Sequence, residues 1–545
     1  MPTWTRLVQV LFGCQRAGLL TIPLLPPHPS FHKPNYHHFL RVVSQTRPKA
    51  AVAPPHYIAL VQQYTSSCSS SVDPDLVVIL RNLIWISTED IKHGETTASR
   101  GVMDSPSYNG CKVDEVYLIQ YTSGATGIPK PVLVTAGSAA HNVRTARKAY
   151  DLHPNSIIVS WLPQYHDCGL MFLLLTIVSG ATCVLTSPAS FVNRPMLWLE
   201  MLSDLKSTCT PVPSFALTLV MRHHGKSDQK ENSNLNLLCL KNLILINEPL
   251  YKSSVEEFLH VFQPYGLNPS CIAPSYGLAE NCTFVSTAWR NNKNDCWDYF
   301  PSHKQLLPSA KLADQLDEVE IIIVDEQTKE AVEDGIEGEI WISSPSNASG
   351  YLGHPFLSQK IFQGRLKNKI SSRYYVRTGD RGIVKGQERF LYVTGRCVDI
   401  IKTQNNQEIH PHYIETAAYN CYPQFLRGGC LACFSISRTI TLVAELQGSE
   451  KLDQSILRRL CEGIKQDVLK EENVKVGRVI LVKRGCVPRT TSGKIQRWAA
   501  MDKLVRNQMS IVMDLRTEQA GGFDYSFPTL ARRGKLRRGV ALSLM

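Results

Sequence analysis

Tyr121-Thr-Ser-Gly-Ala-Thr-Gly-Ile-Pro-Lys130 follows a strand-like run, Val116–Tyr121, and crowds two glycines, three hydroxyl side chains and a lysine into a few positions. Gly124 and Gly127 let the backbone bend and approach an anion closely. Thr122, Ser123 and Thr126 supply hydroxyl donors, and Lys130 supplies a positive charge. This is the chemistry of a phosphate cradle. It differs from G-x-x-x-x-G-K-[ST], whose lysine directly follows its second glycine. A plain Ser/Gly/Thr turn between strands would have the same composition.

Outward from that loop the pattern is strand, loop, helix, repeated. Ile157–Trp161, Ala181–Leu185, Leu243–Ile246 and Ser270–Ala273 read as short strands. Leu170–Val178 and Ser253–Phe262 read as helices, the latter with a cap residue and early acids. Alternating strands and helices predict an α/β fold with mainly parallel sheets. From Glu318 the character changes. Val319–Val324, Gly338–Ser343 and Phe390–Thr394 predict a β-rich subdomain. After Asp399 and a polar connector, a compact α+β unit is expected. Its helices lie near His412–Tyr419 and at Gln454–Leu469, its strands at Leu431–Phe434, Thr441–Leu446 and Arg478–Val482.

The chain has 545 residues, of which 43% are hydrophobic and 19% charged, which suits large globular cores and excludes collagen, coiled coil and wholesale disorder. No run of about 18 uncharged apolar residues occurs, so no transmembrane segment is expected. The net charge of +12 suits an anionic ligand. Part of it is the local cluster Arg532, Arg533, Lys535, Arg537 and Arg538, which reads as a solvated tail. No basic stripe with interleaved aromatics appears, so no nucleic-acid partner is expected. The 16 cysteines are spread through apolar contexts, as reduced thiols are, and point to a reducing, cytoplasmic setting. Cys430 and Cys433 form one C-x-x-C without a second ligand pair, which favours core packing over zinc.

Further motifs follow in order. They are Trp161-Leu-Pro-Gln-Tyr-His-Asp167, Tyr276-Gly-Leu-Ala-Glu280, Arg377-Thr-Gly-Asp380, Tyr392-Val-Thr-Gly-Arg-Cys-Val-Asp399 and Thr490-Thr-Ser-Gly-Lys494. With the loop at 121–130 they resemble the stations of the adenylate-forming superfamily of acyl-CoA synthetases, peptide-synthetase adenylation domains and luciferases. The forms at 161–167 and 276–280 resemble its fatty acyl-AMP ligase branch. The resemblance runs from about residue 7 to about residue 500.

It implies a large N-terminal AMP-binding domain over 1–398, with a β-rich subdomain at about 318–398. A small mobile α+β domain over 399–505, hinged at Asp399, and a divergent basic tail over 506–545 complete the expected organisation. Thr122, Ser123, Gly124, Thr126, Gly127, Lys130, Tyr276, Gly277, Asp380 and Arg396 are the expected ATP/AMP-binding residues. A carboxylate at Asp380 can accept from both ribose hydroxyls, and Arg396 can bind ribose or phosphate oxygens. Tyr276 can stack on adenine. Glu280 offers a hard oxygen to Mg²⁺. Lys494 is the expected catalytic lysine, bridging the incoming carboxylate and the α-phosphate. His166 borders and gates the acyl pocket; a fatty acid carboxylate is already ionised and needs no base.

The implied activity forms acyl-AMP from ATP and a fatty acid, releasing pyrophosphate. Transfer to the phosphopantetheine of an acyl carrier protein follows. A fatty acyl-CoA synthetase and a non-catalytic adenylate-fold binding module are the alternatives on sequence. Ala125 stands where most members carry Ser or Thr, and Pro131 where they carry Gly. Ala125 removes a donor, and Pro131 removes a backbone N–H. Asn406 takes the place of a glycine after the hinge, and Asn best replaces Gly at positive φ. The stretch from Leu11 resembles a helix and strand that in the family normally follow several dozen earlier residues. The stretch between Gly350-Tyr-Leu-Gly353 and Arg377, which includes Pro355–Phe362 and Arg365, resembles the insertion that marks acyl-AMP ligases, and Phe356, Leu357, Ile361 and Phe362 are spaced to bury one helix face against the N-terminal domain.

Overall fold

A computed structural model describes residues 3–27, 36–67, 74–91, 110–125, 127–224, 235–246, 249–288, 301–314, 318–367, 373–403, 405–448, 452–490 and 493–517. Thr126, Thr491, Ser492 and the basic cluster beyond 517 lie outside them.

The largest sheet has six strands, in the order Thr283–Thr287, Ile272–Leu278, Asn242–Ile246, Cys209–Pro213, Ile157–Ser160, Thr182–Leu185. All are parallel except Thr283–Thr287, which returns antiparallel beside Ile272–Leu278. Parallel strands need covered faces, and Asn242–Ile246 and Ile157–Ser160 are mostly buried runs rich in Ile, Leu and Val. The helix Asp167–Ser179 is apolar nearly all round, as a helix packed on several sides must be, and stops at Gly180 in the left-handed conformation. The helix predicted from Ser253 begins at Lys252. Its N-cap is Tyr251, whose side chain makes no cap bond, so the serines lie inside its first turn.

Two antiparallel sheets flank the first. One pairs Gly350–Tyr351, Pro131–Thr135 and Val116–Tyr121. Pro131 opens its strand opposite Tyr121, a first-residue position that tolerates proline. The other has five strands: Ala310–Lys311, Phe390–Arg396, Val376–Lys385, Gly338–Ser343 and Glu320–Val324.

The C-terminal sheet is formed by Leu426–Ile436, Thr439–Leu446, Arg478–Val482 and Ile511–Arg516, with helices Pro411–Cys421 and Gln454–Glu472 packed on it. Ile511–Arg516 falls within the span expected to be tail. It pairs antiparallel with Arg478–Val482, so ordered structure reaches past residue 505. One hydrophobic cluster joins Ile383, Phe390 and Tyr392 to Ile414, Leu431 and Leu460 across residue 399. Thr3–Arg16 is a helix that buries Leu11 in a cluster with Leu118 and Val132. The helix Pro355–Phe362 joins the same cluster through Leu357, Ile361 and Phe362, but Phe356, expected on the same buried face, is 88% exposed and takes no part.

Candidate active site

Thr122 ties the two ends of the loop at 121–130 together. Its N–H donates to the Lys130 carbonyl at 3.0 Å, and its Oγ1 accepts from the Lys130 N–H at 3.0 Å. Gly124 has φ +69°, and a Cβ there would lie 2.8 Å from Pro129 and 2.9 Å from the Gly127 carbonyl. Ser123 and Gly127 are half-buried beside it. The missing N–H of Pro131 costs the loop nothing, because loop closure uses the N–H groups of Thr122 and Lys130.

Asp380 and Arg396 are direct partners in the antiparallel pair Val376–Lys385 and Phe390–Arg396. Asp380 lies within a continuous strand, after Gly379 at φ +70°. Its Oδ1 is 3.3 Å from Arg396 Nε, and its Oδ2 accepts from the Tyr276 hydroxyl at 2.7 Å. The Asp380 carboxylate holds the Arg396 guanidinium firmly protonated. Burial, and then Asp380, pushes the Tyr276 hydroxyl well above its usual range. Tyr276 is thus fixed by its hydroxyl in the wall that carries Asp380. Gly277 follows, and a Cβ there would strike the Thr283 carbonyl at 2.0 Å, so bare backbone is required.

Glu280 lies in the 3₁₀ turn Ala279–Asn281. Its Oε1 accepts from the Tyr351 hydroxyl at 2.6 Å, and Lys130 Nζ lies 5.6 Å from the centre of the Tyr351 ring. A magnesium ion needs hard oxygens and usually takes one or two carboxylates, with water and substrate phosphates completing its shell. Glu280 beside a phosphate-type loop fits that requirement. The cluster His166, Asp167 and Cys168 supplies nitrogen, oxygen and sulfur together, a poor set for magnesium.

His166 Nδ1 bonds to the Asp167 carboxylate, and His166 Nε2 is buried without a partner. Burial alone would raise the Asp167 carboxyl. The His166 ring and, further off, the Lys494 ammonium outweigh it and hold the carboxyl down at about 2. An apolar pocket of about 30 Å³ lies between Tyr117, Gln120, Asp167, Met171, Leu174 and Cys282.

Lys494 closes its own loop as Thr122 does. Its N–H donates to Thr490 Oγ1 at 3.1 Å, and its carbonyl accepts from the Thr490 N–H at 2.8 Å. Lys494 shares a cleft of about 670 Å³ with Ala125, Phe215, Arg396, Asp399 and Arg497. Three neighbours of Lys494 complete the junction, and sequence reasoning missed all of them. Gln496 Nε2 and Trp498 Nε1 donate to the Gly124 carbonyl at 3.0 and 3.3 Å. Arg497 binds Asp399 at 2.9 Å and Glu415 through two bonds of 2.8 and 2.7 Å. Burial opposes the charge of Arg497, but Glu415 and Asp399 raise its pKa regardless. Asp399, expected at the hinge, is therefore held by a residue next to the lysine loop. Asn406 has φ +59°, the conformation expected of a glycine substitute.

The structure thus gathers Lys494, Arg396 and Asp399 at one cleft beside the loop residue Ala125. Asp380 and Tyr276 adjoin it through Arg396, and Glu280 joins Lys130 through Tyr351.

Comparison with known proteins agrees with this geometry. The sequence profile described as AMP-binding enzyme matches residues 1–352. The medium-chain-fatty-acid–[acyl-carrier-protein] ligase JamA of Moorena producens is 28% identical over 93% of this chain and 85% of its own length. The long-chain-fatty-acid–AMP ligase FadD26 of Mycobacterium marinum is 26% identical over 92% of this chain and 86% of its own. The crystal structure of the Legionella pneumophila fatty acyl-adenylate ligase with acyl adenylate and pyrophosphate superposes with a TM-score of 0.62. It is 25% identical, over 94% of this chain and 86% of that one. Another structure, from a study of fatty acyl-adenylate ligases of E. coli and L. pneumophila, gives 0.76 at 25% identity, over 93% and 87%. With the profile spanning well over half of its length and these relatives spanning nearly all of it, the chain belongs to the AMP-binding enzyme family, in the fatty acyl-AMP ligase branch.

Proposed function

We propose that this chain joins a fatty acid to AMP, using ATP, and passes the acyl group to the phosphopantetheine thiol of an acyl carrier protein. The observation that carries the reading is Lys494 held at one cleft with Arg396 and the phosphate-type loop. A fatty acid carboxylate oxygen attacks the α-phosphorus. The new P–O bond forms as the bond to the bridging oxygen of the β-phosphate breaks, and pyrophosphate leaves. Asp380 accepts from the ribose hydroxyls, and Tyr276 and Arg396 keep its carboxylate aimed. Thr122, Ser123, Gly124, Gly127 and Lys130 receive the β- and γ-phosphates, with Thr126 assigned beside them on sequence alone. Lys494 neutralises charge that builds up at the α-phosphate, where stabilisation lowers the barrier most. Glu280 would hold Mg²⁺, which supplies charge neutralisation to the phosphates when bound.

The apolar pocket beside Asp167 suits the start of an alkyl chain, and the resemblance assigns its gate to His166, which bonds to Asp167. In the second half-reaction the thiol sulfur attacks the acyl carbon and AMP departs. A unit from residue 399 onward, turning about Asp399, would carry Lys494 away between the two steps. Among the described residues no helix is long and apolar enough to cross a membrane. The buried, free cysteines suit a cytoplasmic enzyme. The test is pyrophosphate release from ATP that depends on added fatty acid, with acyl-AMP identified by mass. A nucleotide- or acyl-binding module without catalysis would release none.

A further inference from the structure

Tyr351 lies between two charges of the site without belonging to either motif. Its hydroxyl donates to Glu280 Oε1 at 2.6 Å, and the Lys130 ammonium faces its ring at 5.6 Å. The residue is only 4% exposed. Its position is fixed from several sides. Tyr351 pairs with Val132 in the sheet, one residue past Pro131, so the backbone next to Lys130 positions it. Its N–H donates to Ser358 Oγ at 2.8 Å, and Phe362 meets its ring edge-on at 5.1 Å. The Ala348 N–H, three residues earlier, donates to the Glu280 carbonyl at 2.9 Å. Among the described residues neither Lys130 nor Glu280 takes part in an ion pair.

Two opposite charges this close to one ring in a half-buried site would ordinarily seek each other. A Lys130–Glu280 pair would occupy the ammonium that phosphates require and the carboxylate that a divalent cation requires. The aromatic ring satisfies the cation through its π face, and the hydroxyl satisfies one carboxylate oxygen. A carboxylate keeps further lone pairs after accepting one bond. We infer that Tyr351 is a positioning residue that holds Lys130 and Glu280 apart, keeping the ammonium free for phosphate and the second Glu280 oxygen free for the metal. The inference rests on the assignment of Glu280 to the metal and Lys130 to phosphate.

The experiment uses the full chain with Mn²⁺ as the probe, bound together with a non-hydrolysable ATP analogue and read by electron paramagnetic resonance. Metal-free ATP affinity is measured in parallel by calorimetry. Tyr351→Phe keeps the ring and loses the hydroxyl. It should weaken Mn²⁺ binding about tenfold, the effect of losing a hydrogen bond to a charged group, with metal-free ATP affinity within about twofold of wild type. Tyr351→Leu should weaken both. Adding Lys130→Met to Tyr351→Leu should restore Mn²⁺ binding, because the competing cation is gone, while ATP affinity stays low. A purely structural tyrosine would give no such rescue. In a Glu280→Gln background Tyr351→Phe should lose its effect on the metal, and this cycle decides the matter even if the leucine variant fails to fold. Wild-type Mn²⁺ binding by Tyr351→Phe, or the same loss with and without Glu280, would overturn the inference. Failure of the adenylation reading is separable, since it shows as no pyrophosphate release by wild type whatever the metal data.

Discussion

Gln496 and Gly124, 372 positions apart in the chain, are joined by a 3.0 Å hydrogen bond from side-chain amide to backbone carbonyl. The bond fastens the lysine loop to the phosphate-type loop, and Trp498 adds a second donor to the same oxygen. With the two loops joined, Lys494 lines the cleft, as its proposed role in adenylation requires.

Lys494→Ala should cripple acyl-AMP formation and leave ATP binding largely intact. Removing charge stabilisation specific to the transition state should lower turnover by a factor of about 100 or more. Acyl transfer from supplied acyl-AMP should fall much less. Single-turnover measurement of each half-reaction checks this; equal loss in both would remove Lys494 from its assigned role.

Asp380→Ala should weaken ATP binding by about 1.5–3 kcal/mol, the range for hydrogen bonds to a charged group. The variant also leaves Arg396 and the Tyr276 hydroxyl without their acceptor, so its melting temperature should drop as well. Calorimetric titration with ATP reads the first effect. An unchanged affinity in a folded variant would leave Asp380 a structural strand residue only.

His412 predicts an acid-labile junction. Burial pushes its imidazole down to about 3, and the nearby His410 and Arg497 charges add to this against the bond to the Thr394 carbonyl. Its folded pKa lies below the ordinary 6.5, so the unfolded chain binds the proton first. The stabilisation is complete above pH 6.5 and is lost as pH falls towards 3, at about 1.4 kcal/mol per pH unit. Burial also lowers the His38 and His303 imidazoles, so they can add to the slope in this window, and the comparison with a His412 variant isolates the share that belongs to His412. Chemical denaturation across it should show wild type weakening and His412→Gln, less stable at pH 7, losing much less. Parallel slopes would mean that His412 is not the titrating group.

A carrier-borne thiol should be preferred to free CoA. The helix Pro355–Phe362 buries Phe362 and packs the half-buried Leu357 and Ile361 against the N-terminal core, and it carries Ser358, which seats Tyr351. Docking of a carrier contributes affinity that free CoA lacks. ATP, a long-chain fatty acid and either acceptor should give acyl-carrier product quickly and acyl-CoA slowly. Acyl-CoA formation as fast as acyl-AMP formation would promote the synthetase alternative.

Much of the fold was legible because its signals are local. Val116–Tyr121, Gly338–Ser343 and Arg478–Val482 are β-rich runs bounded by turn residues, and they occupy the bounds that the sequence predicts. Asn406 at positive φ was legible for the same reason, since asparagine tolerates that conformation. The strand Pro131–Thr135 was missed because its proline reads as a breaker, although a strand's first residue accepts one. Tyr351, Gln496, Arg497 and Trp498 were missed for a different reason. Each acts through a partner far along the chain, and no periodicity or turn chemistry marks such a contact. The mutual position of Asp380 and Arg396 was likewise hidden, because strand register depends on the whole sheet.

The indole of Trp498 carries a practical consequence. It is 41% exposed, and its N–H is bonded to the phosphate-type loop. Any turn of the small unit that withdraws Lys494 must break that bond and hand the indole to solvent. The chain therefore contains its own optical reporter. Emission from Trp498, isolated by replacing other tryptophans with phenylalanine, would shift to longer wavelength on opening. Stopped-flow traces could then time the opening against each half-reaction without an attached dye.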